Sequence, residues 1–263
     1  MLRRLSELVG YNIIATDAEI GKVADFYFDD LNWTIRYMIA ETGGWLSGKK
    51  VMISPFSLGY PNWNDKKFPL KLTKEQIENS PGIGVDEPVS RQYETELTGY
   101  YGWPAYWSGS MGIFSGVDGV YGPINIPPPA EMERNPEIEA EKKALQDTET
   151  HDPHLRSLDE VKGYKIHASD GKIGHVEDFI VDDENWMIRY MLVDTKKWFP
   201  GGKHVLIAPY WIEAIDWDES EVKVNLTEEK VKNSPELDES QPINRQYESE
   251  LFDYYSKPRY WEK

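Results

Sequence analysis

The chain contains no cysteine, which removes disulfides, thiol nucleophiles and cysteine-ligated zinc or iron–sulfur sites together and leaves the redox compartment open. It also lacks any apolar run of about 18 residues, the length a membrane-spanning helix requires. Positive charge is scarce: 29 Lys and Arg stand against 46 Asp and Glu, a formal net charge of −17 with a pI near 4.7. Affinity for phosphate backbones comes mainly from clustered Lys and Arg, so the charge balance argues against an extensive nucleic-acid surface. The opening decapeptide MLRRLSELVG breaks its apolar residues with Arg3, Arg4, Ser6 and Glu7, leaving no signal core behind the basic pair. The expectation is a cytoplasmic chain with no membrane span. What is present is enough for a core: 263 residues, 40% hydrophobic and 13% aromatic.

Self-comparison organises the chain. Residues 2–107 align with 155–261, with one extra residue near Gly201, at 48 identities in 106 aligned pairs. GYNIIATDAEIGKVADFYFDD (10–30) matches GYKIHASDGKIGHVEDFIVDD (163–183), and RQYETELTGYYGWPAYW (91–107) matches RQYESELFDYYSKPRYW (245–261). The protein is therefore read as a tandem duplication with three parts. Residues 1–107 form a first repeat with a helical, aromatic tail. Residues 108–154 form a linker, Gly/Pro-rich and then acidic, and 155–263 form a second repeat with a similar tail.

Period-2 alternation dominates the first 60 or so residues of each copy. Lys22–Asp30 and Thr34–Thr42 read as strands joined by a tight turn around Leu31–Asn32, after a turn at Asp17–Gly21. Pairing Asp29 with Thr34 puts Phe26, Phe28, Ile35 and Tyr37 on one face and Asp25, Tyr27, Asp29, Arg36 and Met38 on the other. Further strands are predicted at Lys50–Leu58 and Lys203–Ile212, then at Phe68–Leu72 and Val222–Leu226. A short helix follows each, capped by Thr73 or Thr227 and stopped before Pro81 or Pro235. Arg91–Tyr101 and Arg245–Tyr255 carry apolar groups at helical spacing. Short twisted strands with one turn of helix predict a small closed or nearly closed barrel.

Gly-Tyr-x-Ile, then Asp-x-x-Ile-Gly-x-Val-x-Asp-Phe, Arg-Tyr-Met, Val-x-Ile-x-Pro and Leu-Thr-x-Glu together resemble the PRC-barrel domain. That module is shared by the cytoplasmic part of the photosynthetic reaction-centre H subunit and a ribosome maturation factor. The resemblance covers roughly residues 8–81 and 161–235. It implies an all-β chain of two tandem small PRC-type β-barrels, each followed by a short helix and an aromatic-rich tail. It also implies assembly or interaction, with no catalytic motif to carry over. The membrane helix of the H subunit and the RNA-associated domain of the ribosomal factor have no counterpart here.

Four sets of residues are candidates for chemistry. Asp25, Asp29, Asp30 and Asn32, with Asp178, Asp182, Asp183 and Asn185, offer oxygen ligands for a hard cation at a hairpin tip. The plainer reading makes them turn residues, with Arg36 and Arg189 neutralising Asp25 and Asp178 on a solvent face, a surface pair worth about 0–1 kcal/mol. Gly43-x-x-x-x-Gly48-Lys49 approaches a phosphate loop, but Lys50 stands where Ser or Thr should meet Mg²⁺ and a strand follows instead of a helix; a β-turn is the reading. The histidines, His151, His154, His167, His175 and His204, fit no ligand spacing and are read as solvated or locally bonded.

The aromatic tails carry the functional expectation: Tyr93, Tyr100, Tyr101, Tyr106 and Trp107, with Tyr247, Tyr254, Tyr255, Tyr260 and Trp261. Aromatics give large contact area at low entropic cost, which suits interfaces; the alternative is a clasp completing each barrel's own core. The sequence is read as a non-enzymatic interaction and assembly module without cofactor or metal. Its partners are other proteins or a second copy in a homodimer, not nucleic acid. The rivals are an accessory of a membrane electron-transfer complex, as in the H-subunit relative, a metal-dependent hydrolase using a cleft between the barrels, and an RNA-assembly factor. Net charges of −3, −5 and −9 over residues 1–110, 111–156 and 157–263 oppose the last.

Overall fold

A computed structural model describes residues 1–46, 48–81, 89–107, 154–198 and 200–262; the sequence-predicted linker lies almost wholly outside them. The first repeat runs β1 (Leu2–Arg4), β2 (Asn12–Ile14), β3 (Glu19–Asp29), β4 (Thr34–Thr42), β5 (Lys50–Ile53), β6 (Lys67–Pro69), α1 (Lys74–Glu78) and α2 (Arg91–Tyr101). The second runs β7 (Leu155–Ser157), α3 (Leu158–Val161), β8 (Lys165–His167), β9 (Lys172–Asp182), β10 (Met187–Asp194), β11 (His204–Ile207), β12 (Ile212–Asp216), β13 (Glu221–Val224), α4 (Glu228–Lys232) and α5 (Arg245–Tyr255). No helix among the described residues is long and apolar enough to cross a membrane.

Two compact units divide the chain, and neither is one continuous stretch. One comprises Val9–Tyr27 and Arg36–Leu155. Its ladder is ordered β6-β2-β3-β4-β5, with β2 antiparallel to β3 and parallel to β6. Ile13, Phe26, Tyr37, Val51, Ile53, Phe68 and Ile77 are fully or almost fully buried in it, the main source of stability in such a unit. Gly21 has φ of 155°, and a Cβ there would lie 2.1 Å from the Glu41 carbonyl oxygen. Only glycine lets the start of β3 pass so close to the end of β4.

The other unit comprises Met1–Leu8, Phe28–Ile35 and Arg156–Lys263. Its ladder runs β12-β13-β8-β9-β10-β11. The N-terminal strand β1 adds to β9, with Leu2, Arg3 and Arg4 opposite Asp182, Val181 and Ile180. Leu5 and Leu8, in the 3-10 turn after β1, are completely buried in the same unit. The tip of the first repeat's hairpin joins it as well. Ile35 N–H donates to the Trp186 carbonyl at 2.9 Å, and Ile188 N–H donates to the Trp33 carbonyl at 2.7 Å. Phe28 stacks on Trp33 with centroids 5.3 Å apart and meets Phe179 at 5.6 Å. Trp33 and Trp186 both sit at positive φ, 52° and 59°, a conformation uncommon for a bulky residue; the reciprocal backbone bonds involve both, and the ring contacts above are those of Trp33.

The chain is strand-rich with few helices, but of the closed or nearly closed barrel expected, full closure does not form. Among the described residues no strand ladder joins β6 to β5, or β12 to β11, and the segment after β5 meets the segment after β6 only at the single bridge of Leu58 with Leu70. The predicted strands at Lys50–Leu58 and Lys203–Ile212 stop at Ile53 and Ile207, where Pro55 and Pro209 begin 3-10 turns. Proline supplies no N–H for a ladder, so β5 and β11 end there; beyond the 3-10 turns the chain pairs again, Leu58 with Leu70 and Ile212 with Val224. The first hairpin strand begins at Glu19 rather than Lys22, inside the segment read as a turn.

The second hairpin face is also not a solvent face: Asp29 and Met38 are buried. Arg189 pairs with Asp182 at 3.2 Å rather than with Asp178, whose carboxylate accepts from the Ser6 hydroxyl and backbone N–H. Strand β1, laid along β9, brings Ser6 there.

Candidate interface site

Each tail is built the same way from the helix upward. Ser90 and Asn244 cap α2 and α5 by accepting from the backbone N–H of Tyr93 and Tyr247, at 3.1 and 2.9 Å. The helices end where Gly102 and Ser256 turn into the left-handed region, which reverses the chain onto the helix. Both helices keep the boundaries expected from the sequence, because their caps are local chemistry.

Inside each helix's first turn a glutamate is buried, Glu94 completely and Glu248 almost so. A buried carboxylate persists only when paired. Glu248 Oε1 accepts from Tyr190 Oη at 2.7 Å and Tyr260 Oη at 2.8 Å, while Arg245 lies 3.0 Å from Oε2. In the first repeat Glu94 accepts from Tyr106 Oη at 2.8 Å, and Arg91 lies 2.9 Å away. Burial, and then the hydrogen bond to Glu248, push the Tyr260 hydroxyl up to about 12. Burial raises Tyr190 and Tyr37 well above the ordinary tyrosine value, with Glu248 and Glu94 adding to it.

Arginines then stack on the rings. Arg36 lies 4.2 Å from the Tyr106 ring centre, and Arg91 lies 4.2 Å from Trp107. In the second repeat Arg189 lies 4.3 Å from Tyr260, and Arg245 lies 4.2 Å from Trp261. Tyr106, Trp107, Tyr260 and Trp261 are all half-buried, so each tail presents a fixed ladder of two arginines and two rings at its surface.

The other six candidate aromatics tie the tail to its own unit. Tyr101 and Tyr255 are buried. Tyr93 and Tyr247 donate to the carbonyls of Pro81 and Pro235, at 3.0 and 3.3 Å, and Tyr100 and Tyr254 donate to Gln76 and Lys230, both at 2.8 Å. Nothing local in the sequence joins the glutamates and arginines to the rings, although Arg-Gln-Tyr-Glu and Arg-Tyr-Met recur unchanged in both repeats.

The hairpin aspartates are engaged, some by near neighbours and some by residues distant in sequence. Asp29 accepts from the N–H of Leu31 and Asn32, and Asp25 from Phe26 N–H at 2.7 Å. Asp30 pairs with Arg156 at 3.3 Å, Asp182 accepts from Asn185 at 3.0 Å, and Asp183 pairs with the Met1 amino group. Asp182 and Asp183, with Glu184, face the Met1 amino group, so these carboxylates are neutralised by the chain's own N-terminus. Lys49, the lysine of the near-miss phosphate loop, donates to the Ser80 carbonyl at 2.7 Å, as Lys203 does to Ser234 at 2.6 Å; both cap the carbonyl end of a short helix. His167 lies 3.2 Å from Glu221, and His175 rests on Trp198. His151 is outside the described residues.

Duplicated strand-rich units, each closed over by a helical aromatic tail, define a tandem β-module. The family model of the PRC-barrel domain matches residues 2–71 and 153–231, more than half the chain, so the chain belongs to the PRC-barrel family, with two copies in tandem. Both matched stretches end before the tails. No curated protein matches the chain.

Proposed function

We propose that the chain is a non-enzymatic protein-interaction and assembly module whose contact surfaces are the two arginine–aromatic ladders. The observation that carries this is the repeated arrangement of Arg36, Arg91, Tyr106 and Trp107 and of Arg189, Arg245, Tyr260 and Trp261. Trp, Tyr and Arg dominate the binding energy of protein interfaces, and ladders locked by a buried glutamate lose little entropy on docking. Two copies on one chain suit bridging of two partner molecules, or avidity for one repetitive partner.

The test compares the untagged wild-type chain with Trp107→Ala and Trp261→Ala, singly and together, coupled to beads as bait in native lysate after mild cross-linking. The expected outcome is a stoichiometric protein partner, retained at low salt, depleted by either change and lost in the double variant while the melting temperature moves little. Equal recovery by wild type and double variant overturns the reading.

A further inference from the structure

We propose that the second repeat carries a binding site for one divalent transition cation of the zinc type, formed by Glu177, Asp194 and His204. These three side chains offer ligand atoms within 4.8 Å of one another. They come from three adjacent strands. His204 lies directly opposite Asp194 in the β10–β11 ladder. Glu177 falls at a bulge in β9: Leu192 pairs with Asp178 and Val193 with Val176, leaving Glu177 without an opposite number. Bulges re-aim a side chain in this way and are frequent beside functional sites.

The bonding around His204, which is 8% exposed, is what points to a cation. Nε2 lies 2.6 Å from Glu177 Oε2 and 2.9 Å from the Lys196 ammonium nitrogen. Glu177 requires a proton or another positive centre on Nε2, whereas Lys196 requires a lone pair there. No placement of one ring proton satisfies both. A metal ion at Nε2 satisfies Glu177 and Asp194 at once, and Lys196 is exposed on a flexible stem and is free to swing out. The other ring nitrogen, Nδ1, is hydrogen-bonded to Glu239, which also takes Arg4 at 2.7 Å. A carboxylate behind the imidazole is the support that metal-ligating histidines use to fix tautomer and orientation. One imidazole and two carboxylates leave a fourth, water-held position of a tetrahedral site. The first repeat has Ala24, Glu41 and Lys50 at the corresponding places, so the site belongs to one copy only.

The test uses the untagged full chain, stripped with EDTA and titrated with Zn²⁺ by calorimetry, with Co²⁺ absorption as a spectroscopic check. Wild type is expected to take up one equivalent that both Glu177→Ala and His204→Lys lose, and Glu239→Gln is expected to weaken it by about 10- to 100-fold. Both ligand changes install residues the first repeat already carries, and circular dichroism checks their folding; if His204→Lys unfolds, Glu177→Ala decides. Absence of uptake by the wild type, or an unchanged stoichiometry in the folded variants, overturns the proposal.

Discussion

At the scale of single residues, the two repeats fill one space by different routes. In the first, Trp103 of the tail stacks on Tyr101 at 4.1 Å and donates from Nε1 to Ser57 Oγ at 2.8 Å. In the second, the residue aligned with Ser57 is Trp211, which packs on Tyr255 at 4.7 Å, and the residue aligned with Trp103 is Lys257. One indole lies beside the buried tail tyrosine in either case, supplied by the tail in one copy and by the 3-10 turn in the other. Sequence alignment displays these as two unrelated mismatches, because residues 46 positions apart are linked only through packing. Trp103→Ala is expected to destabilise its unit by about 3 to 5 kcal/mol. Adding Ser57→Trp to Trp103→Lys should recover much of the lost melting temperature in calorimetry; no recovery would show that the two sites are independent.

At the scale of elements, legibility followed locality. The tail helices and the Thr73 and Thr227 caps were readable because a cap and its first turn interact within four residues. Strand ends were less readable: a proline that ends β5 or β11 looks the same in sequence as one tolerated at a strand edge. Strand β1 leaves no mark in the sequence, since three residues carry too little periodicity. Its partner β9 lies about 178 residues away along the chain, and Leu5 is buried beyond it. Leu5→Ala is therefore expected to cost about 2 to 5 kcal/mol, and hydrogen exchange should show faster amides in β9 than in β2. Loosening confined to β2 would refute that placement.

At the scale of the whole molecule, the duplication is threaded as well as tandem. The reciprocal bonds between the hairpin tips at Trp33 and Trp186 have the self-complementary form of a two-fold contact, made here within one chain. A protease site inserted between residues 108 and 153 and then cut should leave both fragments in one species on gel filtration. The C-terminal unit takes Met1–Leu8 and Phe28–Ile35 from the N-terminal fragment. Elution as two separate species would contradict this.

The sequence by itself determined the duplication, the strand-rich class, the capped helices and the recurrence of the tail aromatics, because each is written in periodicity or in chemistry between near neighbours. Only the tertiary structure decided that the ladders stop short of full closure, that the N-terminal strand serves the second repeat, and that Glu94 and Glu248 organise the tails. It alone brought His204 to Glu177 and Asp194. The physical reason is common to all of these: burial and long-range strand pairing join residues whose separation in sequence carries no local signal.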